Sequence, residues 1–256
     1  MKKITILGSG WLGLSLAASL KNVYRVTGSY KAEQTKQKLE DASIESLHVD
    51  LTQHIPERLF DTDVLCIFVS PSSNKAIPYL DVLAPLLSHP KFTTIQHVIF
   101  TSSTSVYVQD TRTKDETHPL KKDHPIALVE QALSIHGNLC ILRMAGLMGG
   151  GRYLTKYYPS QRVLANALSP VNHIHQTDAV GIIKAVIDQG IQGVYNVCAP
   201  LHPTKQAIIQ TQCKTLHVTP PTFEQVEGQN GIINSSKLQK ATNYTFIYPD
   251  PQTFPL

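Results

Sequence analysis

The sequence predicts an α/β fold: a doubly wound parallel sheet under helical cover, with a small discontinuous C-terminal lobe. Three observations carry that prediction. Strand-length apolar runs alternate with helix-length segments from Lys3 to about Cys198, the pattern of stacked βα units. The first run, Ile4, Ile6 and Leu7, ends in Gly8-Ser9-Gly10-Trp11-Leu12-Gly13 and passes into a second apolar stretch, Leu14 to Leu20. Asp63 to Val69 is almost uninterrupted in its apolar character, as expected of a central parallel strand covered on both faces.

The G-x-G-x-x-G spacing sits between a strand and a helix, and each glycine answers a separate steric demand. Gly8 permits the tight turn, Gly10 lets a pyrophosphate approach the backbone, and Gly13 lets the helix pack closely on the strand. The helix N-terminus, beginning near Trp11, then presents free N–H groups and a partial positive charge to the phosphates. Ser9, Trp11 and Leu12 belong to the same expected binding turn.

A second strand is expected over Val23 to Gly28, followed by Ser29-Tyr30-Lys31 and a polar, solvent-facing helix reaching Ala42. An acid at the end of this strand would hold the ribose hydroxyls of NAD. None is present, and Ser29 and Lys31 offer the hydroxyl and cation that a 2′-phosphate needs, so NADP is favoured over NAD. Lys31 also has a plainer reading, as a solvated residue at the start of a helix.

The third expected strand, about Ile44 to Val49, ends in Asp50-Leu51-Thr52. Asp50 can accept from the exocyclic amine of an adenine while Leu51 packs on the ring; equally, Asp50 can cap a turn. After Val69 comes Ser70-Pro71-Ser72-Ser73, a loop at the carboxyl end of the sheet, where ligands bind in open α/β folds. A helix from about Asn74 to Leu87 is expected, kinked or segmented by Pro78 and Pro85.

The next strand ends in a hydroxyl cluster, Thr101-Ser102-Ser103-Thr104-Ser105-Val106-Tyr107. A strand followed by Ser-Ser-x-x-Val-Tyr resembles the extended short-chain dehydrogenases/reductases, the NAD-dependent epimerase/dehydratase superfamily. Asp50-Leu51, Leu142-Arg143 through Gly149, Ile174-His175-Gln176-Thr177-Asp178 and Tyr195-Asn196-Val197 resemble further segments of that superfamily, so the likeness runs over nearly the whole chain. The glycine opening, Thr-Ser-Ser-Thr-Ser-Val-Tyr and Tyr-Asn-x-Cys-Ala-Pro together most resemble the small bacterial YeeZ-type proteins, atypical members without a settled reaction. The resemblance implies a Rossmann-type domain over 1–145 and 174–199 and a substrate lobe over 146–173 and 200–256. It also implies that Ser103 hydrogen-bonds the reacting oxygen, and that Ser102, Val69, Ser70 and Pro71 lie along the coenzyme.

The superfamily's Tyr-x-x-x-Lys pair has no counterpart, because the chain has no tyrosine between Tyr107 and Arg143. In an ungapped register Lys122 and Ile126 fall at the two positions. Tyr107 is the tyrosine nearest Ser103 and is carried as a catalytic candidate, although its family counterpart more often packs. His124 and Lys122 precede a helix that Pro125 would start well. Gly146 stands at the family's substrate-contacting Asn. Gly149-Gly150-Gly151-Arg152 reads either as a phosphate-wrapping loop or as a floppy connector. His173 and His175 alternate along a strand and so face opposite ways, which argues against a two-histidine metal site.

The remaining chain is read as a helix from Thr177 or Asp178 to about Gln189, a strand from Gly193 to Cys198 and a helix from about Thr204 to Leu216. A strand from Gly231 to Asn234 and a non-helical tail at Tyr248-Pro249-Asp250-Pro251 complete it.

The 256 residues suffice for a sizeable core, and a formal charge of +4 with scattered basic residues shows no nucleic-acid stripe. Cys66, Cys140, Cys198 and Cys213 lie far apart, mostly in apolar runs, and read as reduced buried thiols without metal spacing. Met1-Lys2-Lys3 before an apolar stretch mimics a secretory leader, but a leader does not need three glycines at dinucleotide spacing, so a cytoplasmic protein is expected. No run approaches the ~18 apolar residues of a membrane span.

Two function classes stay open: an NAD(P)-dependent epimerase, dehydratase or reductase acting on a hydroxyl or carbonyl of a nucleotide-sugar-like small molecule, and an NADP-holding sensor or regulatory partner that has lost the acid/base pair. Either could act as a homodimer.

Overall fold

A computed structural model describes residues 1–71, 76–226, 228 and 230–256. The elements run β1 (Lys3–Leu7), α1 (Trp11–Leu20), β2 (Arg25–Tyr30), α2 (Glu33–Asp41), β3 (Glu45–His48), β4 (Val64–Ile67), α3 (Tyr79–Leu87), β5 (His97–Ser103), α4 (Pro125–Leu133) and β6 (Leu139–Met144). They continue β7 (Gly146–Met148), β8 (Val163–Leu164), β9 (His173–His175), α5 (Gln176–Gln189), β10 (Gly193–Val197), α6 (Lys205–Leu216), β11 (Thr222–Phe223) and α7 (Ser236–Thr242).

Seven strands form one parallel sheet in the order β10-β6-β5-β4-β1-β2-β3. The first strand pairs with β2 on one side and β4 on the other, so the winding direction reverses between β1 and β4. Ligands bind at this switch point in doubly wound sheets. β4 is buried at every position, as its apolar run requires. Leu65 and Ile67 of β4 join Val98 and Phe100 of β5 in a core closed by Val82, Leu83 and Leu86 of α3 and Val129 and Leu133 of α4.

The chain divides into two compact units. The first comprises Met1–Val106, Leu120–Leu142 and Ile183–Val194; the second comprises Tyr107–Pro119, Arg143–Ile182 and Tyr195–Leu256. The second has its own small core, with Leu154, Leu164, Ala167 and Val171 packed on Ile208, Ile209 and Cys213 of α6.

Several boundaries differ from expectation, each for a local reason. The second strand begins at Arg25 and runs on to Tyr30, because β1 pairs only from Arg25 onward and β3 continues the ladder to Tyr30. The α3 helix begins at Tyr79, since Pro78 is its N-cap in an extended conformation; Asn74 and Lys75, where the expected helix began, lie outside the described residues. Gly231 to Asn234 forms no strand and contributes one isolated bridge, Ile233 with Lys114. The tail is extended to Asp250, but Pro251–Thr253 makes a short 3-10 turn whose first position suits proline. All four cysteines are free and buried. Among the described residues no helix is long and apolar enough to cross a membrane.

Candidate functional site

The first unit carries a cavity of about 350 Å³ lined by Gly8, Ser9, Gly10, Ser29, Tyr30, Lys31, Asp50, Leu51, Val69 and Ser70, among others. That volume lies in the range of small-molecule sites. Three glycines of the adjoining turn behave differently. A Cβ on Gly13 would stand 2.3 Å from the Gly8 carbonyl oxygen, so helix and strand meet there at backbone distance. Gly8 has φ +104, and its Cβ would press on the Phe68 carbonyl carbon at 2.9 Å. Beside Gly10 there is no atom of the described residues within 4 Å of a notional Cβ, which leaves room for a ligand. Gly10 caps α1 without a side-chain bond, and the first turn of that helix holds no acid. The Leu14 N–H meets the Gly10 carbonyl at 2.9 Å, and the positive end of the helix ahead of it suits an anion.

Ser9 is 4% exposed, and its Oγ has no hydrogen-bond partner among the described residues. An orphaned buried hydroxyl in the glycine turn fits a phosphate oxygen as the missing partner. Ser29 has a different place: it is buried, and its Oγ accepts from the Gly8 N–H at 2.8 Å. It braces the glycine turn as well as lining the cavity. Lys31 is exposed and reaches Asp50 Oδ2 at 2.9 Å. Asp50 also accepts from the N–H and hydroxyl of Thr52 at 3.0 and 2.7 Å. The Lys31 hydrogen bond, then those from Thr52, hold the Asp50 carboxyl down at about 2.

Sequence reasoning missed Ala32, Thr35, Thr52, Phe68 and Val82, which also line the cavity. Thr52 was legible as the second residue after an Asp at a strand end, the spacing of an Asx turn. Val82 comes from α3 through packing, and no local spacing announces it. Trp11, Leu12, Gly13, Pro71 and Ser102 do not line this cavity; Ser72 and Ser73 lie outside the described residues.

The hydroxyl cluster sits where β5 breaks into a 3-10 turn, Thr104–Val106. Ser102 is buried and donates to the Glu130 carboxylate of α4, which makes it a link between sheet and helix. Ser103 is half-buried, its Oγ accepting from the Ser105 N–H at 3.1 Å. Ser105 Oγ lies 3.3 Å from His124 Nε2, while Lys121 Nζ donates to the Ser105 carbonyl at 3.0 Å. Lys122, aligned with the missing tyrosine, is exposed.

No protein-family model matches the chain. Protein YeeZ of Escherichia coli strain K12 is 30% identical over 277 aligned positions that take in the whole of both chains. The chain belongs to the YeeZ family. Among solved structures, a conserved protein of unknown function from Silicibacter pomeroyi matches with a TM-score of 0.81 at 19% identity, over 98% of this chain and 96% of that one. A candidate NAD-dependent epimerase/dehydratase from Methylobacillus flagellatus matches at 0.76 and 25% identity, over 97% and 94%. UDP-glucuronic acid 4-epimerase from Bacillus cereus in complex with NAD matches at 0.77 and 15%, over 98% and 95%, a likeness of fold.

In this YeeZ-family chain the second unit gives structural roles to several residues that the superfamily pattern had singled out. Tyr107 is fully buried, its hydroxyl donating to Asn196 Oδ1 at 2.7 Å and accepting from Arg143 Nη1 at 3.0 Å. Burial, the dominant influence, pushes its phenol up. A hydroxyl with both directions engaged and no exposure cannot exchange protons with a substrate, so Tyr107 is corrected from catalytic candidate to core residue. Asn196 completes the network, its Nδ2 donating to the carbonyls of Lys114 and Asn234.

Gly146 stands where the superfamily has an asparagine because His173 occupies the space: a Cβ there would come within 2.4 Å of the ring. Gly149 is likewise pressed by His175, with 2.2 Å from its notional Cβ to Nε2. Gly149 and Arg152 exchange backbone hydrogen bonds of 2.9 and 3.1 Å, so the glycine run is a closed turn rather than a floppy connector. His175 is structural, as expected: its Nδ1 accepts from the Thr177 N–H, and its ring packs on Tyr248 and Phe254.

Proposed function

We propose that this YeeZ-family chain binds a nicotinamide dinucleotide at the glycine turn and uses it on a carbonyl or hydroxyl of a nucleotide-sugar-like small molecule. The observation that carries the proposal is the trio of glycines. Gly8 and Gly13 are demanded by the chain itself, whereas Gly10 leaves, among the described residues, open space beside α1 that a pyrophosphate could fill. The orphaned Ser9 hydroxyl supports the same reading, and so does the whole-chain likeness to a candidate NAD-dependent epimerase/dehydratase.

When bound, the nicotinamide supplies hydride exchange. The chain's part is to hold the pyrophosphate at residues 8–13, to recognise the adenine edge with Asp50 over Leu51, and to orient a substrate oxygen with Ser103. We favour NADP on the Lys31 cation and the Ser29 hydroxyl, whose Oγ also accepts from the Gly8 N–H. The Lys31 ammonium is exposed at the rim of the cavity and would share its charge between Asp50 and a 2′-phosphate. The solved epimerase names NAD as its own coenzyme, so the choice needs a direct measurement.

Calorimetric titration of the full chain with NADP and with NAD tests both parts. Saturable binding, stronger for NADP, is expected; failure of either coenzyme to bind ends the proposal. Hydride exchange with a panel of nucleotide sugars, with Ser103→Ala alongside, then tests the chemistry.

A second reading, an NADP-holding sensor or regulator, draws on one observation. Tyr107, the tyrosine nearest Ser103 in the sequence, is locked in the core, so it does not stand in for the superfamily's acid/base tyrosine. Coenzyme binding with no exchange on any nucleotide sugar would favour it.

A further inference from the structure

Asp50 and Lys31 line the same cavity, and the Lys31 Nζ lies 2.9 Å from Asp50 Oδ2. The other carboxylate oxygen is engaged from its own turn: Oδ1 accepts from both the N–H and the hydroxyl of Thr52. A carboxylate offers about four lone-pair sites, two on each oxygen. Thr52 fills the two on Oδ1 and Lys31 takes one on Oδ2, so a further donor must land on Oδ2 as well, directly beside the ammonium.

We infer that the adenine amine and the 2′-phosphate of NADP bind cooperatively, coupled through the Lys31–Asp50 ion pair. This rests on the reading above, in which Asp50 accepts from the adenine and Lys31 meets the 2′-phosphate, and it deepens that reading by making the strength of one contact depend on the other. With NAD, the amine donates to an oxygen that an ammonium already holds. Two donors on one oxygen divide its charge and repel each other's protons, so the amine bond is weak. With NADP, the phosphate draws the ammonium toward itself, and Oδ2 recovers its charge for the amine. By linkage the converse holds with the same factor: an amine on Oδ2 eases the transfer of Lys31 to the phosphate. Lys31 thereby sets coenzyme choice twice, by attracting the phosphate and by releasing the acceptor of the adenine.

If the ammonium kept its place on Asp50 whatever the ligand, the two contacts would simply add. The geometry favours movement of the cation. The Asp50 side chain is 11% exposed and pinned by Thr52, whereas the Lys31 side chain is 62% exposed on a flexible four-carbon stem. Among the described residues Asp50 is the one carboxylate that Lys31 meets, so no second acid competes with a phosphate for it. The carboxylate also feels the pairing: the Lys31 bond comes first among the influences that hold Asp50 down at about 2.

The test is a cycle of four ligands titrated into the full chain: NADP, NAD and the purine analogue of each, in which hydrogen replaces the exocyclic amine of the adenine. Weak ligands are read by displacement of NADP. NADP and NAD come first, and binding of neither ends the coenzyme reading together with this inference. Loss of the amine should then cost NADP at least about fivefold more in affinity than it costs NAD, a coupling within the usual range for linked sites. In Lys31→Ala the two costs should become equal, because the carboxylate meets the amine in the same way with either coenzyme. In Asp50→Ala loss of the amine should cost neither coenzyme anything. Equal costs in the unaltered protein overturn the inference and leave coenzyme binding standing, as does a coupling that survives Lys31→Ala. An amine contribution that persists in Asp50→Ala removes Asp50 from the adenine and overturns the inference with it.

Discussion

At the scale of single residues, Gly10 and Gly13 separate what folding needs from what a ligand needs. Gly13→Ala puts a methyl 2.3 Å from a backbone oxygen that cannot move without shifting β1 or α1. A loss of about 1–3 kcal/mol in urea denaturation is expected, the usual cost of overpacking. Gly10→Ala meets no atom of the described residues, and its backbone, φ −76 and ψ −153, is extended. Its stability should change by less than about 1 kcal/mol, a stiffer unfolded chain opposing a poorer N-cap, while coenzyme affinity falls at least tenfold in calorimetry. Unchanged affinity would remove the pyrophosphate from the turn. Lys31→Ala should weaken NADP by about tenfold, near 1.4 kcal/mol, with little effect on NAD; equal losses would leave Lys31 as the ion-pair partner of Asp50 and nothing more. The glycine spacing made this site legible before any coordinates. The bond from the Gly8 N–H to the Ser29 hydroxyl was not legible, because a side chain's partner across a turn depends on the curvature of that turn, which spacing does not report.

At the scale of elements, termini and anchors carry the argument. Thr204 caps α6, its Oγ1 accepting from the Ala207 N–H at 3.1 Å. Thr204→Ala should cost about 1 kcal/mol, the usual value for a lost N-cap. Asp178 is wholly buried in the first turn of α5 and collects the tail, accepting from Tyr244 Oη at 2.9 Å, Ile247 N at 2.7 Å and Tyr248 N at 2.9 Å. Asp178→Ala strands three donors, so a loss of about 3 kcal/mol is expected, with early amide exchange at residues 244–248. A loss under 1 kcal/mol would show that the tail is held elsewhere. The Asp was readable as a helix-start residue, but its tie to residues about 70 positions away was not, since nothing local in the sequence records a long-range pairing. The expected strand at Gly231–Asn234 failed for a related reason: its backbone meets Lys114 at a single bridge, too little for a ladder.

At the scale of the whole molecule, buried histidines set the acid limit. Burial, helped by the Lys205 charge, lowers His173 to about 4 from 6.5, and burial also lowers His97, His175 and His202. The unfolded chain takes up these protons near pH 6.5, whereas the folded protein resists until lower pH. Stability is therefore full above pH 6.5 and declines as pH falls, toward about 4 for His173, by up to roughly 1.4 kcal/mol per pH unit for that group, with the other three adding in the same direction. Asp50 acts in a separate, lower window, supporting the fold above about 3.8 and losing that effect as pH falls toward 2. Urea midpoints at pH 7, 6 and 5 should fall steadily; a flat profile would mean that the histidines are hydrated. Bound coenzyme should offset part of the loss, about 2.7 kcal/mol at a hundredfold excess over Kd.

The amino-acid order by itself determined the alternation of strands and helices, the glycine turn, the buried β4 strand and the YeeZ-type resemblance. All of these are local patterns of period, spacing and composition that a chain carries wherever it folds. Only the tertiary structure decided that Tyr107 belongs to the core, that His173 excludes a side chain at Gly146, that Ser29 braces Gly8, and that His124 faces Ser105. Each of those depends on which distant segment arrives beside a residue. That arrival is settled by packing the whole core at once, and no short stretch of sequence contains it.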